Sequence, residues 1–152
     1  GFNKFSPKRI ILDNKLLTNV NSYIIKTVNS KNTLIFYNQA SKSKINFFKK
    51  KKIQLIKSKI TVDKKFDFKI ILKKLYNLGS RNILIEGGDK LTGNLLKSKI
   101  YNQFFLFKSP KNISTSSEYL KFNSLKLLNK KYKKKVSINS IFGKDKITLY
   151  KK

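Results

Sequence analysis

The 152-residue chain contains no cysteine, histidine, methionine or tryptophan. Without cysteine there is no internal disulfide and no thiolate nucleophile, and without histidine there is no imidazole base. Together the two absences exclude thiolate and imidazole metal sites. Acidic residues are scarce, 7 against 36 lysines and arginines, for a formal net charge of +29. No run is long and apolar enough to cross a membrane. No signal-peptide pattern opens the chain, and it starts at Gly1 rather than methionine, so a trimmed or processed fragment is expected, with the cytoplasm as the default location. No internal repeat and no evident linker divides it, so a single domain with a modest core is expected over residues 1–152.

A basic excess of this size commonly signals nucleic acid or another anionic surface. Two observations weigh against a dedicated role. Only Arg9 and Arg81 are arginine, whereas base-reading surfaces favour the planar guanidinium fork. The abundance of lysine, asparagine, isoleucine and phenylalanine is also what an AT-rich genome imposes on any protein. Salt-sensitive, non-specific sticking to nucleic acid is expected either way. A dedicated module would use the lysine runs at 49–52 and 130–135 with Phe and Tyr stacking on bases. The aromatics fall mostly inside expected strands, which favours a core role, and the run Lys49–Lys52 reads as a solvated helix end.

One stretch organises the rest. Asn82 to Ile85 is a short apolar, β-branched run of the kind buried on both faces of a parallel sheet. Glu86, Gly87 and Gly88 interrupt it, and Leu91, Leu95 and Leu96 then recur at helical spacing. A glycine pair between strand and helix permits a sharp turn and close approach of a ligand, and the helix start beyond it suits a phosphate. A Gly-Gly turn that merely connects two elements would look the same, and this is not the spaced fingerprint of a dinucleotide-binding unit.

Other elements follow in order. Lys8–Asp13, Thr33–Tyr37 and Ile53–Ile56 read as strands. Leu16–Lys26 is expected to wrap the surface, anchored by Leu16, Leu17, Val20 and Ile24, and Asn38–Lys44 to form a polar loop or short helix. Phe66–Leu78 carries apolar residues at helical spacing, with Gly79 where a C-cap belongs. Gln103–Phe107 is another strand, residues 111–124 a loop, and Leu125–Lys131 a short strand or a turn of helix. The alternating Val136–Phe142 and the segment Lys146–Tyr150 flank a turn at Gly143–Asp145. The expected class is α/β: a mostly parallel central sheet flanked by helices, with a C-terminal antiparallel hairpin. In such sheets ligands sit beyond the carboxyl ends of the strands. Asp13-Asn14, Asn38-Gln39 and Glu86-Gly87-Gly88 all fall at such ends and are expected to line one cleft.

The ordered set Pro7-Lys-Arg-Ile-Ile-Leu-Asp13, Thr33-Leu-Ile-Phe36, Leu75-Tyr-Asn-Leu-Gly79, Asn82-Ile-Leu-Ile-Glu-Gly-Gly88 and Phe107-Lys-Ser-Pro110 resembles the reductase domain of bacterial bifunctional riboflavin-biosynthesis deaminase/reductases. That resemblance implies a dihydrofolate-reductase-like fold and an NADPH-dependent reduction of 5-amino-6-(5-phosphoribosylamino)uracil, an aminopyrimidine ribose phosphate, to its ribitylamino product. It further implies that Gly88, Asp89, Lys90, Leu91, Thr92, Gly93 and Asn94 hold the cofactor, with Lys90 and the Thr92 hydroxyl as helpers. Glu86 would face the substrate, and Asn14 is a further cofactor candidate. Hydride transfer requires no side-chain nucleophile, so the missing histidine and cysteine are no objection.

The chain departs from the family pattern in three ways. The family's reductase domain begins upstream of Gly1, with a first strand and much of the substrate-phosphate site, so the N-terminal part is expected to be missing. There is no His-x-Glu and no Pro-Cys-x-x-Cys, hence no zinc deaminase in this stretch. Asn102-Gln103 stands where an acidic pair is usual, which bears on a dimer contact, since the resemblance implies a homodimer. The alternatives are a pterin-type reductase of the same fold, a basic nucleic-acid-binding module, and a non-catalytic subunit.

Overall fold

The structure is a computed structural model, and it describes residues 7–29, 32–111, 123–139 and 143–151. The chain divides into two compact units, residues 1–81 and 82–152. Each is described by itself.

The first unit is built around the strand with the greatest apolar content. The strands are β1 (Arg9–Leu12), β2 (Thr33–Tyr37) and β3 (Gln54–Lys57). They form a parallel sheet in the order β1-β2-β3, with Arg9 opposite Thr33 and Leu34 opposite Gln54. Central β2 is buried on both faces, as its unbroken Leu34-Ile35-Phe36 run requires. Ile35 packs with Leu16, Ile25, Phe48 and Ile53. On the opposite face Leu34 and Phe36 meet Ile71 and Leu75. Two helices supply those contacts, α2 (Lys42–Lys50) for Phe48 and α3 (Phe68–Asn77) for Ile71 and Leu75. A single turn of helix, α1 (Tyr23–Lys26), adds Ile25. This unit is therefore layered helix on sheet on helix.

The three parallel strands and α3 agree with the sequence reading to within two residues at each boundary. α3 starts at Phe68 because Asp67 caps it, its carboxylate accepting from Lys69 N at 2.8 Å and Ile70 N at 3.4 Å. Of the four residues expected to anchor the segment at 16–26, Leu16 is buried and Ile24 packs half-buried against the core, but Leu17 and Val20 are 69% and 44% exposed, and Ile25 adds a buried contact that was not expected. α2 realises the helical alternative for residues 38–44 and runs on to Lys50, where the lysine run at 49–52 forms the expected helix end. Its N-cap Ser41 accepts from Lys44 N at 3.4 Å, and its core face rests on Ile45 and Phe48 among lysines that mask the period.

Three helices end in the same six-residue wrap. In α2 the Lys52 and Ile53 N–H groups return to Lys49 and Phe48 carbonyls. In α3 those of Gly79 and Ser80 return to Tyr76 and Leu75. In α4 (Asp89–Lys97) those of Lys99 and Ile100 return to Leu96 and Leu95. The residue after each cap has positive φ: +60° at Lys52, +89° at Gly79 and +53° at Lys99. Only Gly79 announces itself in the sequence, because a lysine in left-handed backbone carries a cost of about 1 kcal/mol that glycine avoids. Lys99→Gly is therefore expected to raise stability by about 0.5–1 kcal/mol, read as a higher urea midpoint.

In the second unit, β4 (Gln103–Lys108), β5 (Lys134–Ile138) and β6 (Lys146–Lys151) form an antiparallel sheet in the order β4-β6-β5. The C-terminal hairpin is thus present, with β4 joining its free edge. The segment at 125–131 is a helix, α5 (Leu125–Lys131). One face of the sheet, bearing Phe104, Leu106 and Tyr150, packs with Leu96 of α4 and Leu128 and Tyr132 at α5. The other face leaves Phe105 and Phe107 exposed, the alternation of a half-covered antiparallel strand. Lys131 ties the two helices together by donating to the Lys97 carbonyl at 2.8 Å. The expected loop at 111–124 lies mostly outside the described residues.

One expectation is overturned. Asn82–Ile85 is not a buried strand: residues 81–88 carry no strand structure, and Leu84 is 84% exposed. A strand needs neighbours to accept its N–H and C=O groups. The described strands of this unit pair only with one another, so the apolar run has no ladder to join, whatever its composition. Among the described residues, no helix is long and apolar enough to cross a membrane.

Candidate functional site

Two features of the structure suit an anionic ligand, one in each unit. In the first unit the carboxyl ends of β1, β2 and β3 are laced together. Asp13 N donates to Phe36 O, while Asn38 N and Gln39 N both donate to Asn14 O, at 2.9 and 3.0 Å. The Asn38 side chain donates to Ser58 O at 3.0 Å. The expected convergence of Asp13-Asn14 with Asn38-Gln39 is therefore real. Glu86-Gly87-Gly88 belongs to the second unit.

Asp13 organises its own loop. Its carboxylate accepts from Thr18 N at 2.6 Å and from the Thr18 hydroxyl at 2.7 Å. Burial pushes its pKa up, but the Thr18 hydroxyl and the N–H groups of Leu17, Thr18 and Lys15 outweigh that and hold it below the ordinary 3.8. A depressed carboxyl contributes stability that is present above 3.8 and lost as pH falls through its folded value. Asp13→Asn is thus expected to be less stable than the natural protein at neutral pH, the gap narrowing in an acid titration below pH 3.8.

Next to Asn14 lies a depression of about 520 Å³ lined by Lys15, Leu17, Gln39, Ala40, Ser41 and Lys44. It offers two ammonium groups and Ser41, the N-cap of α2. The buried Asn14 Oδ1 has no hydrogen-bond partner in the protein. An orphaned buried acceptor is costly unless something donates to it.

In the second unit the glycine pair opens α4. Gly88 is the N-cap, and no side chain caps the helix, so the first-turn N–H groups carry no capping bond. A Cβ on Gly88 would meet nothing within 4 Å, whereas one on Gly87 would press on Leu91 Cδ2 and lie 3.2 Å from Leu91 Cβ. Glycine at 87 thus lets Leu91 fold back over the turn without displacement, and Gly88 keeps the approach to the helix start open. Lys90 is exposed, as is Glu86 just before the glycines.

The remaining candidates on α4 divide by what they touch. Thr92 is buried, and its hydroxyl donates to the Gly87 carbonyl at 3.3 Å, so it secures the turn. Leu91, half-buried, packs against Gly87. Asp89 accepts from Ser124 N at 2.8 Å, while the Ser124 hydroxyl donates to its carbonyl at 3.3 Å. Ser124 and the Asn123 N–H hold the Asp89 carboxyl below its ordinary pKa. That carboxylate is drawn toward the start of α5, joining the two helices. A Cβ on Gly93 would come within 2.9 Å of Ser124 Oγ, so glycine there lets α4 and α5 approach. Asn94 is half-buried, and its carbonyl accepts from the Ser98 hydroxyl at 2.9 Å. The roles of Thr92 and Gly93 are not written in the sequence, because each depends on the contact its side turns toward.

This architecture matches solved structures. A pyrimidine reductase-like protein from Corynebacterium diphtheriae superposes with a TM-score of 0.66 at 17% identity, covering 95% of this chain and 60% of that one. RibD from Acinetobacter baumannii gives a TM-score of 0.66 at 13% identity, covering 95% of this chain and 37% of that one. At these identities the likeness defines the fold alone, a mixed α/β architecture. The sequence narrows it further. Residues 2–133 match the RibD C-terminal domain, and the chain belongs to that family. It is 28% identical over 109 residues to riboflavin biosynthesis protein RibD of Actinobacillus pleuropneumoniae and 29% identical over 105 residues to that of Aquifex aeolicus. These alignments take in 72% and 69% of this chain but only 29% and 28% of the relatives, so the chain spans less than a third of their length.

Proposed function

We propose that this domain is the reductase part of a riboflavin-pathway enzyme that reduces 5-amino-6-(5-phosphoribosylamino)uracil to the ribitylamino product with NADPH. The observation that carries the reading is the uncapped start of α4 beneath an unobstructed Gly88, in a chain of the RibD C-terminal domain family. When bound, the reduced nicotinamide supplies a hydride to the ribosyl C1′. The protein's own work is binding and orientation.

The first-turn N–H groups from Gly88 onward would hold the pyrophosphate, with Lys90 adding charge. Glu86 would accept from donors on the substrate's ribose or pyrimidine. A homodimer in the cytoplasm is the working state of this proposal.

The test is oxidation of NADPH and of NADH with that substrate, with any natural upstream sequence restored. Lys90→Ala is expected to lower kcat/KM for the reduced nicotinamide cofactor about tenfold or more, since a charged hydrogen bond contributes about 1.5–3 kcal/mol. An unchanged kcat/KM would remove Lys90 from the pyrophosphate. Substrate-independent or absent consumption would overturn the proposal.

A further inference from the structure

The parallel sheet has a second end. The features above lie at the carboxyl ends of its strands, whereas its amino ends carry a different basic cluster. Lys8 directly precedes β1, and Lys52 stands two residues before β3. Extending the β1–β2 pairing by one residue sets Lys8 opposite Asn32, and Lys52 lies in the left-handed turn that leads from α2 into β3. Lys49, in the last turn of α2, joins them around a depression of about 410 Å³ completed by Ile53 and Gln54.

All three lysines are exposed, and none has an acidic partner among the described residues. The carboxylates of Asp13, Asp67 and Asp89 are spent on backbone N–H groups and a hydroxyl. Arg9, adjacent to Lys8, is likewise committed, its guanidinium donating to Thr27 Oγ1 at 2.7 Å and Thr27 O at 2.9 Å.

We propose that this amino-terminal edge is a nucleic-acid backbone site, with Lys8, Lys49 and Lys52 as its phosphate contacts. Three unpaired ammonium groups around an open depression suit a chain of phosphates better than a single one. No helix start converges there, and Ile53, the one apolar lining residue, is 4% exposed. That same burial argues against a membrane surface, which would be met by exposed apolar side chains. With lysine as the only cation, the site reads backbone and carries no sequence preference. Its position at the opposite end of the strands leaves it independent of the reductase reading.

The experiment titrates a fluorescent oligothymidine with the full chain over a salt series. Lys8→Gln/Lys49→Gln/Lys52→Gln is compared with Lys97→Gln/Lys108→Gln/Lys126→Gln, which removes the same charge from exposed positions of the second unit. Far-ultraviolet circular dichroism checks that both fold. The first triple is expected to flatten the log–log salt slope by about 2, at roughly 0.7 per phosphate contact, and to weaken binding about tenfold at ~0.1 M salt. The control is expected to change affinity less than about twofold. Equal losses in the two triples would overturn the proposal by tracing binding to net charge alone. Binding to anionic phosphatidylserine vesicles in preference to the oligonucleotide, lost in the first triple, would overturn it in favour of a membrane surface.

Discussion

Gly88→Val is expected to reduce the proposed NADPH-dependent turnover by about 100-fold, the loss typical of removing one preorganised hydrogen-bond contact to a charged group. The thermal midpoint should scarcely move. Gly88 has φ −72° and ψ −179°, extended backbone that valine adopts readily, and its Cβ would meet nothing within 4 Å. The fold loses only the cap preference of glycine over valine, at most ~1 kcal/mol. What valine adds is an isopropyl group over the open N–H groups of α4, where a phosphate would otherwise rest. Gly87→Ala is the informative partner. Its new methyl would press on Leu91, so this variant should lose stability as well as activity. Activity loss confined to Gly88→Val would place the ligand against the helix start. Full turnover in Gly88→Val would remove the phosphate from α4 and leave the glycine pair as a connection only.

The contrast between these neighbours shows where a sequence stops being informative. A glycine pair after an apolar run is visible in one dimension, and so are the leucines that follow at helical spacing. Which glycine is held by packing and which is left open depends on Leu91 folding back across the turn. The same limit applies to Asp89. In a helix's first turn it reads as a phosphate neighbour, yet its carboxylate is drawn to Ser124, 35 residues away. β2 and α3 were legible because their apolar residues follow one period without interruption. α2 was legible only at its two ends, as the short-helix alternative within 38–44 and a helix end at 49–52, since Ile45 and Phe48 stand among lysines that carry no period. Asn82–Ile85 shows the converse: apolar, β-branched composition describes what a segment would do with neighbours, and this unit's strands give it none. Lys52 and Lys99 hide two helix ends because positive φ there is held by backbone hydrogen bonds rather than by residue choice.

Phe36→Ala tests the first unit's architecture where it is most exacting. Phe36 is fully buried at the centre of β2, against Ile71 and Leu75 on α3. Both edges of its strand are already paired, so the sheet cannot close in around a missing ring. The expected loss is about 3–5 kcal/mol, a large share of the ~5–15 kcal/mol that holds a domain folded. Urea unfolding should show a sharply lower midpoint. Leu84→Ala supplies the comparison. At 84% exposure it should stay within about 0.5 kcal/mol of the parent chain, as substitutions on an open surface do. Were Leu84→Ala instead to cost several kcal/mol, residues 82–85 would form a buried strand in solution. A small effect at Leu84 beside a large one at Phe36 would mean that the apolar run is open to solvent and that the glycine turn is carried by α4 alone.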